Sequence, residues 1–269
     1  MKNKPTLSTA RKEYLKRLKI EKSIVWTLRI SFLVIFIISW EILAKHNVID
    51  PFLFSSPTRV YHTISDLIQN GQLFIHITTT LSETIIGFLI ATVLGTLLAL
   101  ILWTSDRLRE FLEPYIVTLN ALPKIALGPI IIIAFGAGFK SIVFMTVLVT
   151  IIVTLMNMLT GFLQTDKGKI FLLQSMGASK FQILLHLIIP NSIPCLISTL
   201  KVNVGLSWIG SIMGEYIVSK QGLGYLIVYG GQILKLDLVM ASTVILCVLA
   251  GIMYALVALL EKSITKWQK

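Results

Sequence analysis

The chain has 269 residues, of which 55% are apolar and 14% charged, and its mean hydropathy is +0.83. A soluble domain carries about 25% charged residues, so this chain has too little charge to cover a water-facing surface. It is excluded as an ordinary soluble enzyme or a disordered tail. The net charge of +11 does not point to nucleic acid, because eight of the 24 Lys+Arg lie in the first 22 residues and the rest fall mostly between apolar runs. That distribution fits a membrane protein with basic inner loops and anionic lipid as neighbour. Cys195 and Cys247 both fall in apolar stretches, and two such residues build neither a disulfide framework nor a metal cluster.

In chain order, residues 1–23 form a basic tail. Tyr14, Leu15, Leu18 and Ile20 give it a weak apolar stripe, so a helix lying on the inner membrane face and a frayed solvated tail both stay open. A spanning helix needs about 20 mostly apolar residues. Six segments qualify: Ile24–Ala44, Thr80–Trp103, Leu112–Phe135, Ser141–Leu163, Ile193–Tyr216 and Leu238–Leu260. The first has a longer apolar run than a secretory signal and reads as a retained anchor at residues 24–44. The outer loop, residues 45–79, contains a helix signal: Ser56 to cap, Pro57 at the first helical position and Gly71 to end it. Val60, Ile64, Leu67 and Ile68 then share one face.

On the second span, Gly87, Ala91 and Gly95 recur every four positions, a pattern for close helix approach. The third is interrupted by Pro114, Pro123 and Pro129, with Lys124 inside the broken stretch. Breaks at membrane depth persist only where protein or a water-filled cavity satisfies the freed backbone groups. An ammonium facing lipid costs about 2.5–3.5 kcal/mol on insertion scales, so Lys124 is expected to face the interior, snorkel or pair. Glu83, Asn120, Lys124, Asn157, Asn203 and Trp208 are the candidates to line a path. Interhelical hydrogen bonding is the competing role for the asparagines. Asn203 and Ser207, four apart, share a face. Glu215 falls near the outer end of the fifth span.

With the N-terminus inside, the inner loops hold sixteen Lys and Arg and the outer loops five, and Arg29, Lys124 and Lys201 lie within apolar segments. That bias places both termini in the cytoplasm. It divides the chain into an all-α core of five helices over residues 80–260 behind the anchor, with a cytoplasmic tail at 261–269.

The longest inner loop runs from Gln164 to Pro194 and reads as two short amphipathic helices around Gly177-Ala178-Ser179, covering residues 164–192. Ile170, Leu173, Gln174 and Met176 belong to the first. Phe181, Leu184, Leu185 and Ile188 fall at helical spacing on the second, which Pro190 closes. An apolar face on an inner loop needs a partner surface, and a helix pair around a glycine turn can seat in a groove of another protein.

This loop resembles that of the inner-membrane permease subunits of binding-protein-dependent ABC importers. The family pattern is Glu-Ala-Ala, three residues, Gly, nine residues, Ile-x-Leu-Pro. Gly177 and Pro190 stand 13 apart as it requires, with Leu187 and Ile189 in the aliphatic places. Phe171, Leu172 and Leu173 replace Glu-Ala-Ala, which makes the docking face more apolar. FLFSSPTRVYHTISDLIQNGQL, LPKIALGPIIIIAFGAG and SWIGSIMGEYIVSKQGLGYLIVYG resemble the nitrate, taurine and aliphatic-sulfonate class. The resemblance covers Phe52 to Leu260.

It implies an all-α bundle of six transmembrane helices, of the type I importer kind, in the inner membrane. It implies a path formed with a second permease copy or a paralogue, a separate ATP-binding subunit carrying ATP-Mg, and an extracytoplasmic solute-binding protein. It assigns the coupling to Phe171, Leu173, Met176, Gly177, Ala178, Ser179, Phe181, Leu184, Leu187 and Pro190. No cofactor is expected in this chain. A P-loop needs G-x4-G-K-[ST], and the nearest approach, Gly136–Ser141, lacks the Gly-Lys step. The solutes implied are a sulfonate, nitrate, taurine or a thiamine-precursor pyrimidine, with Lys124 and Lys201 a slight pointer to an anion. An ion-coupled secondary transporter using Glu83, Glu215 and Lys124 is the alternative. An intramembrane zinc protease is excluded, since His46, His62, His76 and His186 never fall at HExxH spacing.

Overall fold

In lipid, backbone groups must be satisfied within the chain, which restricts an apolar sequence like this one to helices or a closed barrel. The structure, a computed structural model, describes residues 9–264 and contains helices with no strand among the described residues. Of the expected basic tail, residues 1–8 and the side chain of Leu15 lie outside the described residues, as do residues 265–269 of the C-terminal tail. The chain divides into two compact units, residues 1–62 and 63–269.

In the first unit, helix α1 (Thr9–Lys45) runs without a break from the basic tail through the apolar segment. From Thr9 onward the basic tail is therefore helical and continuous with the anchor segment. Arg29, inside the apolar run, stacks over the Trp26 ring at 5.7 Å, which gives its charge an aromatic face within its own helix. A short turn, α2 (Pro51–Phe54), is capped by Asp50, whose carboxylate accepts from Phe52 N–H at 2.8 Å. Helix α3 (Pro57–Gln69) starts where the sequence places it, with Ser56 Oγ accepting from Arg59 N–H. Glu41 on α1 takes both the hydroxyl and the N–H of Thr58, at 2.7 and 3.0 Å. Along the expected apolar face of α3, Leu67 is buried, Ile64 is half-buried and Ile68 is exposed.

The second unit is built on three long helices: α4 (Gln72–Thr104), α7 (Phe139–Leu163) and α11 (Ile193–Val218). Lipid tails are as apolar as leucine, so such helices are held by close packing and interhelical hydrogen bonds. The seam between them is accordingly made of small and hydroxylated residues. A Cβ on Gly87 would stand 2.5 Å from Thr146 Cγ2, and one on Gly210 would stand 2.6 Å from Thr146 Cα. Thr146 is thus gripped from α4 on one side and α11 on the other. Asn203 on α11 donates to Thr92 Oγ1 on α4 (3.0 Å) and to Thr154 Oγ1 on α7 (2.9 Å). Thr84 and Ser211 share a hydrogen bond at 2.7 Å. The Gly87, Ala91 and Gly95 pattern does what its spacing implies.

The third expected span is two helices, α5 (Asp106–Ala121) and α6 (Gly128–Phe135), joined by a 3-10 turn at Lys124–Leu127 and bent by 85°. The bend falls at Leu122-Pro123, while α5 continues as a helix through Pro114. Five helical stretches are long and apolar enough to cross a membrane, and the bent pair makes a sixth if counted as one span. Between α7 and α11 lie α8 (Lys167–Ser175), α9 (Lys180–Ile183), a π turn (Leu184–Ile188) and α10 (Ile189–Asn191). After α11 come α12 (Leu223–Gln232) and α13 (Leu236–Ile264).

Gly210→Ala forces α7 and α11 apart and should destabilise the fold by about 1–3 kcal/mol. Asn203→Ala, which removes two interhelical hydrogen bonds, should cost about 1–2 kcal/mol. Thermal melting of the purified protein in detergent reads both.

Candidate functional site

The elbow between α7 and α11 begins with Asp166, whose side chain caps α8 at Gly168 N–H (2.7 Å). Helix α8 ends at Gly177, where φ is +84°. A Cβ there would meet nothing within 4 Å, so glycine is required by the left-handed backbone and not by crowding. Ser179 then starts α9 with a reciprocal capping box: its Oγ accepts from Gln182 N–H, and Gln182 Oε1 accepts from Ser179 N–H at 2.8 Å. This locks the direction in which the second arm leaves the turn.

The second arm does not stay α-helical. At Leu184–Ile188 it widens to a π turn, with Ile189 N–H donating to Leu184 O. Pro190 supplies a cause, since it has no N–H for the His186 carbonyl and its ring would press on that carbonyl in a regular α-helix. The widening decides which side chains face inward. Ile183 and Ile188 are both buried, 2% and 0% exposed, and pack with Ala99, Met158 and Phe162. Leu173, Ala178, Leu184 and Leu187 pack against that cluster. Phe171 (71% exposed), Met176 (75%) and Phe181 (69%) face away from it, with Leu172 and Leu185 beside them. A shallow cavity of about 330 Å³ lies among Leu173, Met176, Gly177, Ala178, Gln182 and His186.

The ten expected coupling residues therefore divide in two. Leu173, Ala178, Leu184 and Leu187 fasten the elbow to α4 and α7, Pro190 is half-buried at its base, and Gly177 and Ser179 shape the turn. Phe171, Met176 and Phe181 form an open apolar surface. Ile183 is an anchor that periodicity alone does not reveal. Ser179 and Gln182 at capping-box spacing are a sequence signal for where the arm starts.

The six candidate path residues are spread over α4, α5, α7, α11 and the 3-10 turn. Asn203 is fully buried in the α4–α7–α11 seam. Trp208 is 4% exposed in the apolar cluster with Phe88, Val204, Leu223 and Leu226. Asn157, on α7, lends its backbone carbonyl to the Cys195 thiol at 3.3 Å. Asn120 and Lys124 sit at the bend between α5 and α6, where Lys124 Nζ donates to the Asn120 carbonyl at 3.0 Å. Lys201, a further cation in an apolar segment, is ion-paired with Glu261 on α13 at 2.6 Å. Glu83 is 2% exposed and Glu215 1% exposed, and Glu215 Oε2 accepts from Gly224 N–H at 2.6 Å and Tyr225 N–H at 3.2 Å.

A family model described as the binding-protein-dependent transport system inner membrane component matches residues 91–266. The formylaminopyrimidine transport permease protein ThiX of Halalkalibacterium halodurans is 32% identical over 72% of this chain and 77% of its own. The taurine transport system permease protein TauC of Escherichia coli is 24% identical, over 90% of each chain. Among solved structures, an inward-facing MetNI methionine ABC transporter chain superposes with a TM-score of 0.65 at 18% identity, over 72% of this chain and 97% of that one, which shows the fold. With a family match over most of its length and that arrangement of helices, the chain belongs to the inner-membrane components of binding-protein-dependent transport systems, as a multi-pass permease subunit of an ABC importer whose ATPase is carried on separate subunits.

Proposed function

We propose that the open face of the elbow, Phe171, Met176 and Phe181 with the shallow cavity beside them, is the seat of the ATP-hydrolysing subunit, and that the chain works as one of two permease copies. The observation that carries this reading is the division of the elbow. One set of apolar residues fastens it to α4 and α7, and a second set stands open on the other side. A contiguous exposed apolar patch calls for a partner. A lever held so firmly at its base passes displacement from that partner into α7 and α11 without bending.

The positive-inside bias supports a cytoplasmic elbow and cytoplasmic termini. A solute-binding protein then delivers its ligand at the opposite end, beside α3 and α12. ATP supplies the bias between inward- and outward-facing states through its differing affinity for the two. In this reading the exposed bend at Asn120 and Lys124 faces the second copy and the path between the two.

For the solute, a formylaminopyrimidine-like heterocycle is favoured over sulfonate, taurine or nitrate. The relative that carries that activity in its name is 32% identical. Lys201 is already neutralised by Glu261, and Lys124 is engaged by a carbonyl. The buried polar groups of the bundle are hydroxyls, an amide, an imidazole and carboxyls.

Reconstitution in proteoliposomes with the ATPase subunit and the binding protein should give ATP-dependent uptake of a labelled aminopyrimidine in preference to taurine. Uptake by this chain alone on an ion gradient would reject the reading. Phe181→Asp should lower ATPase co-purification and uptake at least about tenfold while leaving the melting temperature nearly unchanged, because the side chain is largely exposed. Gly177→Val should cost about 1–2 kcal/mol from the left-handed backbone and weaken coupling further, with Gly177→Asn milder on both counts.

A further inference from the structure

Helix α4 ends at Thr104 and α5 starts at Asp106, so the chain turns back at Ser105. Trp103 stands in the last turn of α4 and is half-buried, and tryptophan favours the level where bilayer meets water. The elbow lies beside this turn, because Trp103 and Ile170 of α8 pack against one cluster, which holds Ala99, Phe162 and Ile183. Between the turn and the elbow is a cavity of about 640 Å³. None of Phe171, Met176 and Phe181 lines it, so it is separate from the open face of the elbow.

The walls of this cavity carry both signs of charge. Arg109 on α5, Lys167 at the start of α8 and Lys180 at the start of α9 bring three cations. Asp106 and Glu110 bring two carboxylates. Asp106 Oδ1 is engaged by the Arg109 guanidinium at 2.9 Å, and a guanidinium has further N–H groups to give. Among the described residues, no carboxylate pairs with Lys167 or Lys180. Thr165, 3% exposed, lines the same cavity. Its Oγ1 accepts from Asn191 Nδ2 at 3.2 Å, and its own hydrogen has no acceptor among the described residues. Arg109 and Leu163 also line a second, narrower cavity of about 190 Å³ between α5 and α7. Ile116 and Val117 line it from α5 and Leu155 and Leu159 from α7, with Glu113 its single carboxylate. Arg109 thus joins a charged chamber to an apolar groove.

Such a pair of spaces matches an amphiphile, with its head in the chamber and a tail in the groove. A phosphate in the head suits Arg109, Lys167 and Lys180, because a guanidinium grips phosphate oxygens through paired N–H groups. A head that is only anionic would leave Glu110 and Glu113 beside a like charge. A head that also carries an ammonium gives both carboxylates a partner. We propose that the two cavities together seat one phospholipid with a primary ammonium in its head, of the phosphatidylethanolamine kind, with an acyl chain along α5 and α7. Basic pockets between spanning helices on the cytoplasmic side take phospholipid heads. The choice of the inner leaflet rests on the cytoplasmic placement of the elbow, while the binding rests neither on that placement nor on the ATPase. Among the described residues, no hydrogen bond or ion pair joins α5 to the elbow. A phosphate held by Arg109 on one side and by Lys167 and Lys180 on the other staples the two.

The test uses the full chain in detergent without the ATPase, so its failure leaves the seat of the ATPase untouched. The protein is given equal amounts of phosphatidylethanolamine, phosphatidylcholine and phosphatidylglycerol, and native mass spectrometry reads what it keeps. Phosphatidylethanolamine should be retained over either competitor by about tenfold, the size of one charge-assisted hydrogen bond. Lys180→Gln should cut its retention by about tenfold. The double variant Glu110→Gln, Glu113→Gln should keep a lipid and lose the preference over phosphatidylcholine. Lys169→Gln, which removes a cation from the same elbow outside both cavities, should change nothing. Phosphatidylethanolamine should raise the melting temperature of the wild type and not of Lys180→Gln, and inorganic phosphate should raise neither. The idea is overturned if no lipid is retained, as when a second copy closes the groove, or if either competitor is kept equally well. It is also overturned if Lys169→Gln loses as much lipid as Lys180→Gln, or if inorganic phosphate alone raises the melting temperature as far. Lys180, Glu110 and Glu113 are exposed. Should a variant still fail to fold, the wild-type competition and the phosphate control decide the matter alone.

Discussion

Thr146 on α7 sits against both α4 and α11, with glycines at 87 and 210 leaving room on either side of it. Helices in a bilayer have no hydrophobic gain to draw them together, because lipid is as good a neighbour as another helix. What remains is contact at backbone distance, and that requires residues without side chains where the axes cross. The interhelical hydrogen bonds of Asn203 and Thr84 lie along the same seam and depend on the approach the glycines allow. Everything else in the second unit hangs from these three rods: the elbow joins two of them at one end, and the start of α12, whose N–H groups donate to His76 and Thr80 on α4 and to Glu215 on α11, ties two of them at the other.

This arrangement explains why a lever at the elbow acts on the bundle as a whole. Ile183 and Ile188 are set among Ala99, Met158 and Phe162, so the elbow bears on α4 and α7 directly. Through Ser192 and the start of α11 it also bears on the third rod; Ser192 Oγ donates to the Ile188 carbonyl at 2.8 Å. Close-packed interiors resist gradual deformation and shift between discrete arrangements, which suits a subunit that must move between two states.

The long rods were legible in the sequence because length and hydropathy alone pick out about twenty apolar residues, and the spacing of Gly87, Ala91 and Gly95 named the inner face of α4. The elbow was legible as a helix pair from Gly177 and Pro190. Its facing was not, because a regular period of 3.6 puts Phe181, Leu184, Leu185 and Ile188 on one side, and the chain abandons that period at Leu184. The bend of the third segment was assigned to three prolines and belongs to one place, Leu122-Pro123, since α5 continues through Pro114. The partner of Lys201 is Glu261, sixty residues on, and only the fold brings such a pair together. Asn203, equally suited by sequence to a path or to a seam, is in the seam.

The π turn at the base of the elbow carries a consequence for the chain's geometry. In an α-helix, residues five apart point about 140° away from one another, and Ile183 and Ile188 would then look in different directions. The wider turn brings them round to the same side and rotates everything before them relative to everything after. Pro190 thus works as a phase shifter: a single imino ring, well away from the aromatic surface, fixes the compass bearing of Phe181 against the bundle.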